Sequence, residues 1–183
     1  MAGEENTAKW DVETDVVVVG SGAGGLVAAI AAYDHGAKVS LLEKSGYFGG
    51  ATAFAGGGMW VPNNKFLRAG YEVHVWDAGK KEWIKKRLTS EEDIDMAKRY
   101  MKNSALGMTT DDHVKTYVNT AWKVCDYLEE HARFQWSHVE LLPEYYPEWD
   151  GAVRSGRTIE PLPYDSTTIP TDLVERIGAS PAL

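Results

Sequence analysis

Asp15–Lys44, DVVVVGSGAGGLVAAIAAYDHGAKVSLLEK, decides the fold. Val16 to Val19 are consecutive and β-branched, as in a parallel strand covered on both faces. Gly20, Gly22 and Gly25 follow as GxGxxG, with Ser21, Ala23 and Gly24 between them. The first glycine permits a tight turn, the second lets backbone approach a pyrophosphate, and the third lets helix and strand pack closely. A helix from about Gly24 to Asp34 then points its amide-rich end at the phosphates. Gly36 suits the left-handed exit of that helix. Val39 to Leu42 make a second strand, and Glu43 ends it, where a carboxylate can accept from both hydroxyls of an adenosine ribose. Strand, turn, helix, strand and acid in this order predict a dinucleotide site, which a lone glycine motif does not. An apolar core helix or a membrane span is the competing reading. Gly20, Ser21, Gly22, Gly24 and Gly25 break the apolar run, which is short against the roughly 20 residues of a span.

The next segment, EKSGYFGGATAFAGGGMWVPNN over Glu43–Asn64, departs from a simple repeating strand–helix unit. Gly49-Gly50 and Gly56-Gly57-Gly58 bracket small residues that include Ala51 and Thr52. Such runs let bare backbone lie against a large flat ligand, and Thr52 can donate a hydroxyl to a phosphate. A flexible linker is the alternative, against which stand the interleaved Phe48, Phe54, Met59 and Trp60.

On these residues, Asp15 to Asn64 resembles the N-terminal part of the FAD-dependent oxidoreductases of the fumarate reductase and 3-ketosteroid dehydrogenase superfamily. GGATAFAGGGMWVPNN points to the ketosteroid dehydrogenase branch. The resemblance implies FAD as cofactor, with Glu43 on its ribose and Gly49, Gly50 and Thr52 along pyrophosphate and flavin. The candidate cofactor set is Gly20, Ser21, Gly22, Ala23, Gly24, Gly25, Glu43, Lys44, Gly49, Gly50, Ala51, Thr52, Gly56, Gly57 and Gly58. Ala55 stands where the family often has serine, which removes one hydroxyl contact.

The chain has 183 residues, a 44% hydrophobic fraction and a formal net charge of −8. That size fills one ordinary domain, and the charge argues against a nucleic-acid binder. Lys80 to Arg87 is a local basic run, read as a solvated helix or hairpin face and offset by Glu91, Glu92, Asp93 and Asp95. One cysteine, Cys125, excludes an internal disulfide and fits a reducing, cytoplasmic setting. The N-terminus has no secretion signal and the chain no expected transmembrane segment.

Tyr71 to Trp76 alternate, and Asp77-Ala78-Gly79 follow, which predicts a hairpin; residues 71–88 read as an insertion relative to the family. His74 has no second ligand spaced to form a metal site, and none is expected. Ser90 with Asp93 predicts a helix cap, the helix running from Glu91 to about Leu106 and ending at Gly107. Thr110 caps a second helix, whose Val114, Tyr117, Val118, Ala121, Trp122, Cys125 and Leu128 form a core stripe. His113 and His131 fall near its opposite ends.

Beyond Ala132 periodicity stops. Trp136, Tyr145, Tyr146, Trp149 and Tyr164 lie among four prolines, Pro143, Pro147, Pro161 and Pro163. The residues alone allow a surface for a flat apolar ligand or aromatics packed on a sheet. Glu144 to Asp165, EYYPEWDGAVRSGRTIEPLPYD, again resembles the ketosteroid dehydrogenases, which implies a tyrosine beside flavin and steroid that assists proton removal. By position that is Tyr145, with Tyr146 second; a core tyrosine with a satisfied hydroxyl is the competing reading. Leu142 stands where the family usually has an aromatic ring. Tyrosine ordinarily titrates near about 10, so a tyrosine base needs a partner.

The expected fold is α/β, an incomplete Rossmann-like FAD domain with the start of an α+β substrate domain. Residues 1–10 form a tail, 11–132 the FAD part and 133–183 the start of the catalytic part. The expected activity is 1,2-desaturation of a 3-ketosteroid or similar cyclic ketone. A fumarate reductase-like enzyme for another enone or a dicarboxylate is the alternative, as is a FAD-binding fragment without activity of its own. Family members are much longer, so the resemblance implies that the rest of a parent polypeptide or a complementing chain completes both domains. The expected partners are a small apolar substrate and an electron acceptor.

Overall fold

The computed structural model describes residues 10–140 and 142–178. The elements are β1 (Val16–Val19), α1 (Ala23–Asp34), β2 (Val39–Leu42), β3 (Met59–Trp60), α2 (Lys65–Arg68), β4 (Glu72–Asp77), β5 (Glu82–Arg87), α3 (Ser90–Ser104), α4 (Asp111–His131), β6 (Trp136–His138), β7 (Thr158–Pro161) and α5 (Thr171–Val174). Short 3₁₀ turns lie at Gly50–Phe54 and Ser166–Thr168. Of the expected tail only Trp10 falls within the described residues, and the last residues, 179–183, fall outside them.

Two compact units result. One holds the described residues up to Ala55 and those from Asp165 onward; the other is Gly56–Tyr164. The expected boundary at 132/133 falls inside the second of these compact units. Helices α3 and α4 pack inside the second unit, where Ala97, Val114 and Val118 form a core with Trp60, Ile94 and Met101 against it. Residues near the C-terminal end join the first unit instead: the Phe48 amide donates to the Arg176 carbonyl at 2.6 Å, and Gly178 donates back to Phe48 at 2.9 Å.

In the first unit β1 and β2 pair in parallel, from Val16 opposite Val39 to Val19 opposite Leu42. Helix α1 connects them and ends as the glycine predicted. Gly36 takes φ +84°, its amide donates to Tyr33 at 2.8 Å, and Ala37 donates to Ala32 at 3.1 Å. That paired pattern closes the last turn and satisfies carbonyls the helix would leave open. The expectation that β1 is covered on both faces is corrected: Val17 and Val19 stay 55% and 82% exposed. Val18 faces α1 at Gly25, and among the described residues the sheet has only these two strands.

In the second unit β3, β7 and β6 form an antiparallel sheet in that order. β4 and β5 form the predicted hairpin, Glu72 opposite Arg87 to Asp77 opposite Glu82. Its inward Val73 and Val75 join Leu67, Leu88 and Val153 in a core. Helix α3 is capped by Thr89, not Ser90. The Thr89 hydroxyl accepts from Glu92 N–H at 3.2 Å while the Glu92 carboxylate accepts from Thr89 N–H at 2.9 Å. The reciprocal pair beats the expected Ser90–Asp93 pair because Asp93 turns inward and is 1% exposed. Thr110 caps α4 as predicted, and Cys125 is buried.

His138, at the end of β6, lies 4.1 Å from the Tyr71 ring and 5.7 Å from the Phe66 ring, centroid to centroid. Both its ring nitrogens are buried without a hydrogen-bond partner among the described residues. Burial pushes its pKa below the ordinary value, against a smaller upward pull from Glu140. The unfolded chain then binds the extra proton more readily. The stability linked to His138 is present above the ordinary value near about 6.5 and is lost as pH falls through the folded one. The urea midpoint should drop between about pH 7.5 and 5.5, and His138→Phe should flatten that slope. An equal slope in the variant would remove His138 as its source.

Candidate functional site

The glycine motif, the end of β2 and the Gly49–Phe54 segment converge on the first turn of α1. Ser21, 0% exposed, is the pin. Its amide and hydroxyl donate to Glu43 Oε2 at 3.0 and 2.5 Å, and its Oγ accepts from Gly49 N–H at 3.0 Å. Glu43 Oε1 accepts from Ser45 N–H at 2.9 Å. The Ser21 hydroxyl, then the Ser45 and Ser21 amides, hold the Glu43 carboxyl down to about 2. Glu43 thus presents a fixed anion at the end of β2, as a ribose-hydroxyl acceptor must. Thr52 has a further role: its Oγ1 accepts from Ala23 N–H at 3.1 Å, in the first turn of α1. Its hydroxyl proton remains available to an anion.

The residues present fit a dinucleotide. At Gly25 an added Cβ would lie 1.9 Å from the Gly20 carbonyl oxygen, so only glycine allows this helix–strand contact. At Gly22 an added Cβ would meet only Thr52 Oγ1 at 3.8 Å and Gly49 O at 3.9 Å, an open face walled by the residues expected to line phosphate. Gly50 closes the same cleft, with its added Cβ 3.8 Å from Gly22 Cα. Lys44 and Ala51 are exposed beside it. Gly56, Gly57 and Gly58 belong to the other unit, where Gly57 and Gly58 back against Pro161 and Thr158.

The second unit contains a cavity of about 660 Å³, within the usual range for small-molecule sites. Trp60, Met101, Leu142, Tyr145 and Tyr146 supply its apolar and aromatic wall. Tyr145 is 89% exposed, which excludes the core-tyrosine reading. Tyr146 stacks on Trp149 with ring centroids 4.1 Å apart. Its amide donates to the Tyr100 hydroxyl at 3.3 Å, and burial raises the Tyr100 pKa. Leu142 borders the cavity where an aromatic was expected. Trp136 is core instead, its Nε1 donating to the Cys125 carbonyl at 3.0 Å.

Sequence reading missed what fixes this wall. Arg157 is buried between Asp93 and Glu144, with N–O distances of 2.8 Å to each. Glu144 also accepts from Trp60 Nε1 and from Val153 N–H, each at 2.8 Å, and Asp93 from Asn63 N–H at 2.6 Å. Burial opposes the Arg157 charge, but the two carboxylates outweigh it and raise its pKa. The cluster ties β3, α3 and Glu144, the residue before Tyr145, together. Nothing in the sequence pattern flags it, since charges dispersed over 64 and 13 positions read as surface residues.

No helix among the described residues is long and apolar enough to cross a membrane. The sequence matches the FAD binding domain family over residues 15–173. It is similar to a 3-oxosteroid 1-dehydrogenase of Comamonas testosteroni, 32% identical over 92% of this chain and 26% of that one. It is also similar to a 4-oxocyclohex-2-ene-1-carboxylate 5-dehydrogenase of Sinomonas cyclohexanicum, 32% identical over 88% of this chain and 24% of that one. The structure resembles that of the 3-ketosteroid delta1-dehydrogenase of Sterolibacterium denitrificans in complex with 1,4-androstadiene-3,17-dione. That likeness has a TM-score of 0.72 and 29% identity, over 91% of this chain and 26% of the other. The chain thus spans about a quarter of the length of these relatives. With a matched region that takes in the glycine motif, Glu43 and the cavity segment alike, the chain belongs to the FAD binding domain family, and its cofactor is FAD.

Proposed function

We propose that this chain is the FAD-holding quarter of a cytoplasmic flavin-dependent dehydrogenase that desaturates a 3-ketosteroid or similar cyclic ketone beside its carbonyl. The observation that carries the reading is the aromatic cavity bordered by Tyr145 and Tyr146, in a chain that also matches the FAD binding domain family. A ketone acidifies the neighbouring C–H, and a tyrosine hydroxyl at the cavity edge can take or relay that proton. Bound FAD supplies the hydride acceptor. The chain's own residues do the rest. Ser21 and Thr52 set the cradle, Glu43 offers its carboxylate to the ribose, and Trp60, Met101 and Tyr146 exclude water from the apolar face of the ring system. Sequence corresponding to the rest of the relatives' length supplies the remaining substrate contacts and the partner for the tyrosine. The lone Cys125 supports the cytoplasmic assignment.

The test is made on protein expressed from the complete reading frame. Purified protein should carry flavin absorbance and turn over 4-androstene-3,17-dione with an artificial electron acceptor. Gly22→Val, which puts a branched side chain into the open face, should remove most of the bound flavin while the fold persists. Full flavin content in that variant would overturn the cradle assignment. Turnover by the 183-residue chain alone would show that no further sequence is needed.

A further inference from the structure

Two relatives of the same percentage identity to this chain are named for different ligands: one for a neutral oxosteroid, the other for an oxocyclohexene carboxylate. Overall identity does not separate them. The charge on this chain's own cavity wall bears on the choice.

Its charged lining consists of Glu144 and Glu160, and no Lys, Arg or His side chain lines it among the described residues. Glu160 sits on β7, where alternation turns Thr158 and Glu160 to the cavity and buries Ile159 at 1% exposure. The contact on its carboxylate is neutral: the Ser137 hydroxyl donates to Oε1 at 3.4 Å. Arg157 is the nearby cation, but it is fully buried between Asp93 and Glu144, so two acids surround one base. The cluster carries a formal surplus of one negative charge behind the wall, and Glu160 adds another on its face.

We infer that Glu160 makes this cavity selective for neutral ring ketones over ring ketones that bear a carboxylate. The inference rests on the ketone-desaturase reading and narrows its substrate class. A carboxylate entering the cavity meets a like charge a few ångströms away in a partly desolvated wall. Such a contact changes affinity on the order of tenfold. A neutral ketone does not meet it. Among the described residues no cation on the cavity wall is placed to receive a dicarboxylate, which disfavours that alternative.

The experiment compares 4-androstene-3,17-dione with 3-oxo-4-androstene-17-carboxylate. Binding is read by quenching of tryptophan fluorescence, since Trp60 lines the cavity. Flavin-loaded protein is used, and turnover is measured on the same samples. The neutral ligand should bind about tenfold tighter or more. That ratio should shrink in Glu160→Gln, and raised salt should narrow it in the unsubstituted protein. Equal affinities, a ratio untouched by Glu160→Gln, or binding of neither ligand would overturn the inference. Intact binding selectivity without turnover of either ketone would instead sink the desaturase reading and leave the charge selection standing.

Discussion

Arg157→Met should cost about 3–5 kcal/mol of stability, the range for breaking one side of a buried ion pair. The side chain is apolar and replaces the aliphatic stem, so the main loss comes from the missing guanidinium charge. Asp93 and Glu144 would stay buried with no cation between them. They also could not simply relocate to solvent. Asp93 holds Asn63 N–H, and Glu144 holds Trp60 Nε1 and Val153 N–H, so turning outward orphans those donors. Chemical denaturation should place the variant far below the starting protein. Adding Asp93→Asn and Glu144→Gln should return part of the loss, because the amide oxygens keep acceptors while the charges go. A loss below about 1 kcal/mol, the scale of exposed pairs, would mean that the cluster is solvated.

Tyr145→Phe is expected to lower turnover by roughly a hundredfold or more, the scale of a lost acid–base group. Flavin content should be unchanged, because Tyr145 and the cradle belong to different units. At 89% exposure the substitution should also leave stability within about 0.5 kcal/mol. The reductive half-reaction and the melting temperature, measured together, separate chemistry from folding. A normal rate in Tyr145→Phe with a slow Tyr146→Phe would move the role one position. Normal rates in both would remove EYYP from the chemistry.

How much of this was legible depends on how far apart the interacting residues lie. β1, α1 and β2 could be read to within a residue, because each signal is local: four β-branched residues, a glycine turn, a left-handed glycine, an acid. The two long helices were equally clear, the first from its cap and closing glycine and the second from its apolar stripe. Their start was less clear, since Thr89 and Ser90 are both good caps. What decided between them was a long-range fact, the capture of Asp93 by Arg157. β3, β6 and β7 were invisible for a related reason. Strands of two to four residues are too short to show alternation, and β3 pairs with β7 about a hundred positions away. The cofactor cradle was readable as a set of residues, but not the detail that Thr52 caps the Ala23 amide. For Tyr145 the residues left core and cavity edge both open, and its exposure chose between them.

Asp93 and Arg157 lie 64 positions apart, which gives their pairing a place in time. At roughly 5–20 residues per second, a ribosome adds that interval in about 3–13 s. For most of it α3 has been made, its acid lacks the Arg157 cation, and the fold that shelters the acid should not close. The second unit is therefore a single late event in synthesis, withheld until its C-terminal strand emerges. A message cut short just before codon 157 should yield a product that keeps both long helices in its sequence yet cannot bury Asp93, one that proteases find and clear.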